Sequence, residues 1–153
     1  MEQAVQVFMD YAAAFEETYI DDDWSRLTAY FDEDASYQVR GGPMACDIRG
    51  REAILQGLKK SIDGFDRRCD ERAIEITGGP RVSAVPAGQE VRIDWVVSYR
   101  RGESPRMGLP GRSVFTVADG RIVAMRDEYD DSELAPVAAW LQQYGADMDG
   151  SYV

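Results

Sequence analysis

The sequence predicts an α+β domain in which a curved antiparallel sheet wraps around helices, and three features carry that prediction. Apolar residues in the first third recur every three or four positions, as on one stripe of a helix. Beyond Arg72 the period changes to two, the mark of strands. The last two such runs are separated by Asp119-Gly120 alone, a dipeptide suited to a two-residue hairpin because both turn positions need positive φ. Helices followed by consecutive hairpins give an antiparallel sheet, whereas a parallel nucleotide-binding sheet needs alternating strands and helices and a glycine-rich phosphate turn. At 153 residues and 44% hydrophobic, the chain is expected to form a single domain over residues 1–145, with 146–153 as a flexible tail.

From Glu2 to Tyr19, the residues Val5, Phe8, Met9, Ala12, Phe15 and Tyr19 form one apolar stripe and predict a first helix. Asp21, Asp22 and Asp23 then offer a cap and dipole-matched charge to a short second helix holding Trp24, Leu27, Tyr30 and Phe31. Ala35 to Arg40 leans to strand and ends in the turn chemistry of Gly41-Gly42-Pro43. A third helix is expected from Gly50 to Phe65, where Ile54, Leu55, Leu58, Ile62 and Phe65 oppose Lys59, Lys60 and Asp63. Strands are expected over Arg72–Thr77, Glu90–Arg100, Arg112–Ala118 and Arg121–Tyr129, with breaks at Gly78-Gly79-Pro80 and at Pro86 to Gly88. Met107 to Gly111, with two glycines and a proline, read as a mobile loop at the mouth of a pocket. A last helix starting at Ser132 or Pro136 ends at Tyr144.

Composition narrows the chemistry. A formal charge of −11, spread along the chain, offers no basic stripe to a phosphate backbone, so nucleic acid is not expected as a partner. The N-terminal segment is acidic and lacks the basic start and apolar run of a secretory signal, and no stretch is apolar enough to span a membrane. With only Cys46 and Cys69, a disulfide framework or zinc site is not expected either, and a cytoplasmic setting is the simple reading. The absence of histidine removes Ser-His-Asp and Cys-His schemes and the commonest metal ligand. Any catalysis therefore runs on Asp, Glu, Tyr, Lys, Arg or a bound cofactor, and of these the side chains are the expectation, with no cofactor or metal. The runs Asp21-Asp22-Asp23 and Asp130-Asp131 read as caps and solvated turns, and Trp24, Trp95 and Trp140 as core or interface aromatics.

Two strands carry polar residues in informative places. Along Glu90 to Tyr99, the odd positions Val91, Ile93, Trp95, Val97 and Tyr99 are all apolar, while Glu90, Arg92, Asp94, Val96 and Ser98 share the other face. Either the odd row is core and Arg92-Asp94 a weak surface pair, or Arg92 and Asp94 project into a pocket. In the second case the apolar row lies outside and needs a second subunit to cover it, which predicts a homodimer. In the last strand Asp127 shares a face with Val123, Met125 and Tyr129. It is either at a solvated strand end or desolvated, and desolvation raises a carboxyl pKa toward values useful for proton transfer.

Taken in order, Tyr37-Gln38, Gly50-Arg51-Glu52-Ala53-Ile54, Arg92-Ile93-Asp94, Gly120-Arg121-Ile122 and Arg126-Asp127-Glu128-Tyr129-Asp130 resemble the nuclear transport factor 2-like, or SnoaL-like, proteins, and among them the limonene-1,2-epoxide hydrolases. The resemblance spans roughly Asp22 to Asp131 and implies a cone-shaped sheet, the cystatin-like architecture. It implies Asp127 as the base that deprotonates water, Asp94 as the acid on the epoxide oxygen, Arg92 bonded to both, and Tyr37 holding the water. Where that family places an asparagine two residues after the tyrosine, this chain has Val39, so the water has one partner fewer. Val39, Val96, Met125, Phe115, Trp24 and Leu58 are expected to wall the pocket.

Three functions stay open at this point. The first is an epoxide-hydrolase-like enzyme that opens a small or medium apolar epoxide with water, without metal or covalent intermediate. The second is an isomerase or cyclase of the SnoaL or ketosteroid isomerase type, in which an aspartate moves a proton. The third is a non-catalytic module that binds a small ligand. All three imply a small apolar partner such as an epoxide, a terpenoid or a polyketide-like molecule.

Overall fold

A computed structural model describes residues 2–153. Helix α1, Glu2–Asp21, is followed by a 3-10 helix, Trp24–Tyr30, and strand β1, Phe31–Arg40. A short strand β2, Cys46–Arg49, leads into helix α2, Arg51–Gly64, and a 3-10 turn, Asp66–Arg68. Four strands then run as a meander, β3 Glu71–Val85, β4 Gly88–Arg100, β5 Met107–Ala118 and β6 Arg121–Glu128, before helix α3, Asp131–Tyr144. The sheet order is β2-β1-β6-β5-β4-β3.

The α+β class is as expected, with one difference in the sheet. Strand β6 closes the meander beside β1 and runs parallel to it, while every other pair is antiparallel. The sheet is therefore mixed. The β5-β6 hairpin turns on Asp119 and Gly120, with φ of 50° and 75°, the positive values that a tight turn of this hand requires.

Several elements differ from expectation for physical reasons. The Gly78-Gly79-Pro80 break does not end β3, because β3 is an edge strand and absorbs the irregularity as register shifts between Ile76 and Arg81. The segment expected as a loop, Met107 to Gly111, is the first half of β5, paired to β4 with Pro110 opposite Val96. On α1 the buried stripe is Ala4, Phe8, Tyr11, Ala14 and Thr18, one step round from the expected one, and Met9 is exposed. Tyr11 turns inward because its ring fits among Phe15, Phe31 and Phe115, with centroids 5.4–6.1 Å away.

On β4 the odd row Val91, Ile93, Trp95, Val97 and Tyr99 faces the helices, and Arg92 lies on the other, solvated face. The apolar row is thus covered within the chain by α1 and α3, so the reason given for a dimer across it no longer applies.

Residues 146–153, expected as a loose tail, lie against α2. Asp149 donates its N–H to the Gly64 carbonyl at 3.1 Å, and Ser61 Oγ donates to the Gly150 carbonyl at 2.6 Å. Glycines make the approach possible: a Cβ on Gly57 would stand 2.9 Å from the Tyr152 carbonyl oxygen, and one on Gly64 would overlap that of Asp149. The tail so held puts the Tyr152 ring 5.4 Å from that of Tyr37. Replacing Tyr152 by Ala should then cost about 2 kcal/mol of unfolding free energy in a urea titration, less than for a fully buried aromatic ring because Tyr152 is only partly buried. A change under about 0.5 kcal/mol, typical of surface positions, would mean that the tail does not dock.

Candidate active site

Between α1, α2 and the inner face of the sheet lies a cavity of about 230 Å³. Phe8, Tyr11, Phe15, Ile93, Val97 and Phe115 give it an apolar wall. Its exposed members are Ile74 and Ile76 of β3, which place the mouth between β3 and α1.

Asp127 stands on this wall, and its position follows from strand register. Ile93, Ser113 and Asp127 are abreast on β4, β5 and β6, and Val39 of β1 is level with Asp127 on the far side. Ser113 and Tyr37 therefore flank the carboxylate. Ser113 Oγ donates to Oδ1 and Tyr37 OH donates to Oδ2, each at 2.6 Å. Trp95 Nε1, which can only donate, gives its proton to Ser113 Oγ at 2.9 Å. This fixes the polarity of the chain, because the serine must turn its own hydrogen toward Asp127. Gly111 makes room for the indole: a Cβ there would meet the Trp95 ring at 2.6 Å and Tyr129 at 2.9 Å.

Burial raises the Asp127 pKa above the ordinary carboxylate value, against the two hydrogen bonds, which lower it. Tyr37 is pushed well above its usual value, first by burial and then by the charge on Asp127, so it stays a neutral donor. The site thus holds a carboxyl poised to exchange a proton, braced on both oxygens and facing an apolar space.

A second polar group lies further along the same wall. Arg72 of β3 donates from Nε to Asp66 Oδ2 at 2.7 Å and from Nη1 to Glu16 Oε1 at 2.8 Å, and Tyr99 OH donates to Asp66 Oδ2 at 3.2 Å. The guanidinium lies over the Tyr19 ring, 4.7 Å from its centroid. Burial raises the Asp66 pKa in spite of Arg72. For Arg72, burial works to lower the pKa, and the carboxylates of Asp66 and Glu16 more than reverse it.

The structure brings together part of the site expected from sequence. Asp127, Tyr37, Met125, Phe115 and Leu58 share the cavity. Arg92 and Asp94 do not reach it, since even positions of β4 point away from the helices. Arg92 pairs there with Glu90 at 2.9 Å and Asp94 with Arg81 at 3.0 Å, and both guanidinium groups are exposed. Val96 shares that outer face, opposite Pro110. Val39 is packed in the core and is not on the cavity wall, and Trp24 packs on Phe15 while its Nε1 donates to Asp22. Ser113, Trp95, Tyr152 and the Asp66-Arg72-Tyr99 group were not anticipated. Ser113 had a signal, a lone polar residue in the inward row Gly111, Ser113, Phe115, Val117 of β5. Burial pushes the Cys69 thiol up to about 11, away from the thiolate that a nucleophile needs.

Two outcomes follow for the carboxylate and its brace. Because its pKa is raised on folding, native Asp127 holds its proton more tightly than in the unfolded chain. Wild-type stability therefore falls as pH rises above the ordinary value of 3.8 toward the raised one. Asp127→Asn has no such ionisation, so it should unfold at a higher temperature than wild type at pH 7 and lose that advantage near pH 4; an advantage that does not shrink on acidification would contradict the burial of the charge. Gly111→Ala should cost about 1–3 kcal/mol by overpacking against Trp95 and should shift the tryptophan emission.

Comparisons with known proteins agree with this fold. No curated protein matches the chain. Among solved structures, it is similar to an LEH-like epoxide hydrolase from M. tuberculosis, with a TM-score of 0.59 and 22% identity over 90% of this chain and 93% of that one. A Bacillus subtilis protein proposed to be an isomerase gives 0.61 and 19%, over 91% and 94%. A Xanthomonas campestris protein proposed to be a polyketide cyclase gives 0.53 and 21%, over 90% and 96%. At these identities the likeness is one of fold. The family model described as "SnoaL-like domain" matches residues 10–125, and the chain belongs to that family.

Proposed function

We propose that the protein is an isomerase or cyclase that moves a proton on a small or medium apolar carbonyl compound, with Asp127 as the base. The observation that carries this reading is a carboxylate alone at its end of an apolar cavity, with raised pKa and both oxygens braced. Water-driven epoxide opening through Asp127, Arg92 and Asp94 needs an acid and a guanidinium beside the base, and those two side chains stand on the opposite face.

In the proposed step the ionised carboxylate takes the proton next to a substrate carbonyl, and the C–H electron pair passes to the carbonyl oxygen as an enolate. Asp127 then returns the proton to a different carbon, which is isomerisation, or the enolate carbon attacks a second carbonyl of the same molecule, whose π electrons pass to its oxygen and take the proton back from Asp127 as a hydroxyl, which is ring closure. A base with a raised pKa takes a carbon acid's proton more readily, and a desolvated one has no water shell to shed. The tyrosines Tyr11, Tyr129 and Tyr152 line the same cavity, and burial keeps all three hydroxyls protonated as donors for the enolate oxygen. The apolar wall selects a substrate that gives up little hydration on binding.

The test is exchange of α-hydrogens for deuterium in a panel of cyclic ketones in heavy water, read by NMR. Wild type should catalyse exchange, and Asp127→Asn should lower the rate about 10²–10⁴-fold. The rate should fall on acidification, with a midpoint above the ordinary carboxylate range because the base must be ionised. A parallel panel of epoxides in heavy-oxygen water supplies the opposing result. Labelled diol without any ketone exchange would overturn the isomerase reading in favour of hydrolysis.

A further inference from the structure

The Asp66-Arg72-Tyr99 group is more than an internal ion pair. Buried salt bridges seldom stabilise a fold better than apolar residues of the same volume, so three polar residues on a cavity wall call for another reason. All three line the same cavity as Asp127. Arg72 uses Nε and Nη1 on Asp66 and Glu16, and its Nη2 has no hydrogen-bond partner among the described residues. Tyr99 OH donates to Asp66 and keeps its oxygen lone pairs, since no described residue donates to it. The group therefore offers two kinds of unused capacity, a guanidinium N–H and a phenol oxygen.

Its charge determines what it accepts. One guanidinium faces two carboxylates, Asp66 and the half-exposed Glu16. With the positive charge already spoken for, the group has no surplus to offer an anion. A hydroxyl or a carbonyl fits, because it meets a donor at Nη2 without bringing charge into a water-poor space.

Placement then sets the shape of the ligand. Tyr99 is six residues beyond Ile93, the β4 residue level with Ser113 and Asp127, and Arg72 is directly opposite Tyr99 on β3. At ~3.3 Å per residue the two levels are about 20 Å apart along the strand, less the reach of the side chains toward each other. Val97 and Trp95 lie between them on the same row, with Ile74 and Ile76 beside them on β3. The wall thus runs polar, apolar, polar.

We propose that Arg72 and Tyr99 form a second recognition point for the ligand, so that the preferred substrate is elongated and largely apolar, with a carbonyl at the Asp127 end and a neutral hydroxyl or carbonyl at the other. The Asp127 half of this statement rests on the function proposed above; the distal half does not.

Binding of a matched pair of probes separates the two. The probes are 4-phenylcyclohexanone and 4-(4-hydroxyphenyl)cyclohexanone, which differ only by a distal hydroxyl, with dissociation constants read by calorimetry on the whole protein. Wild type and Asp127→Asn should both prefer the hydroxylated probe by about tenfold, the worth of one hydrogen bond to a charged donor. Arg72→Met should bring that preference close to one. Tyr99→Phe, which removes one oxygen and disturbs packing least, should reduce it at least threefold. Equal binding of the two probes by wild type, or a preference unchanged in both distal variants, would overturn the proposal. So would tighter binding of 4-(4-carboxyphenyl)cyclohexanone than of the phenol, since it would make the site an anion receptor. A failed deuterium exchange would sink the proposed reaction and leave these binding ratios as they are.

Discussion

The constraint on which the site depends is the withdrawal of one carboxylate from water. A buried Asp is tolerated when its oxygens are satisfied, and here the bracing side chains come from three other strands, Ser113 directly abreast and Tyr37 and Trp95 two residues along the same face. Tyr37 on β1 and Ser113 on β5 bracket Asp127 on β6, and Trp95 on β4 holds the serine. A shift of one residue between any two of these strands would turn a partner to the outer face and leave the carboxylate unpaired. Register is thus coupled to chemistry: the same pairing that buries the apolar rows assembles the brace.

The brace also explains what the site gives up. An interior packed to ordinary density would have no empty space beside a charged group, yet this one keeps a cavity of about 230 Å³ lined mostly by aromatic and aliphatic side chains. Those linings forgo contacts that a filled core would have, and the ionised Asp127 adds to the deficit. Such losses at one place, in an otherwise consistent fold, are what a functional site looks like energetically. The compensation is spread widely, through fully buried Leu27, Phe31, Ile54 and Ile122 in the main core cluster and through the α3 cluster of Val137 and Trp140 against Val97, Tyr99 and Leu109.

Much of this was legible in the sequence. The helices, the Asp119-Gly120 hairpin and the strands of the meander follow from period and turn chemistry, and Asp127 is visible as a carboxylate in an otherwise apolar row, whereas Tyr37 is marked only by the family resemblance. The face of β4 that meets the cavity was not legible from period alone, because alternation defines two rows without saying which is in. The resemblance through Arg92-Ile93-Asp94 chose the polar row. Packing chooses the other, since Trp95, Val97 and Tyr99 have the bulk to meet α1 and α3, whereas Glu90, Arg92 and Asp94 are cheaply solvated. The docking of the tail had only an indirect sign, two glycines in α2 at Gly57 and Gly64, where helix propensity disfavours them. Their reason appears only when the tail backbone passes across them. The Asp66-Arg72-Tyr99 group joins residues from a 3-10 turn and two strands, and nothing local in the sequence links them.

The charge of the whole chain works in the same direction as the cavity. A protein of formal charge −11 repels anions approaching its surface, but salt screens that field within about 8–10 Å, so it acts on encounter more than on the bound state. Inside, where screening is absent, Asp127 and the Asp66-Glu16 pair repel a second negative group directly. A cation gains from the same field, yet it must shed its hydration shell to enter a wall that offers aliphatic and aromatic surface and carboxylates already engaged by hydrogen bonds. Both kinds of ion are thus disfavoured, one by repulsion and the other by desolvation. On the function proposed above, the molecule that gains most is neutral, with enough apolar area to be drawn out of water at roughly 25 cal/mol per Å² and with oxygen atoms only where donors await them.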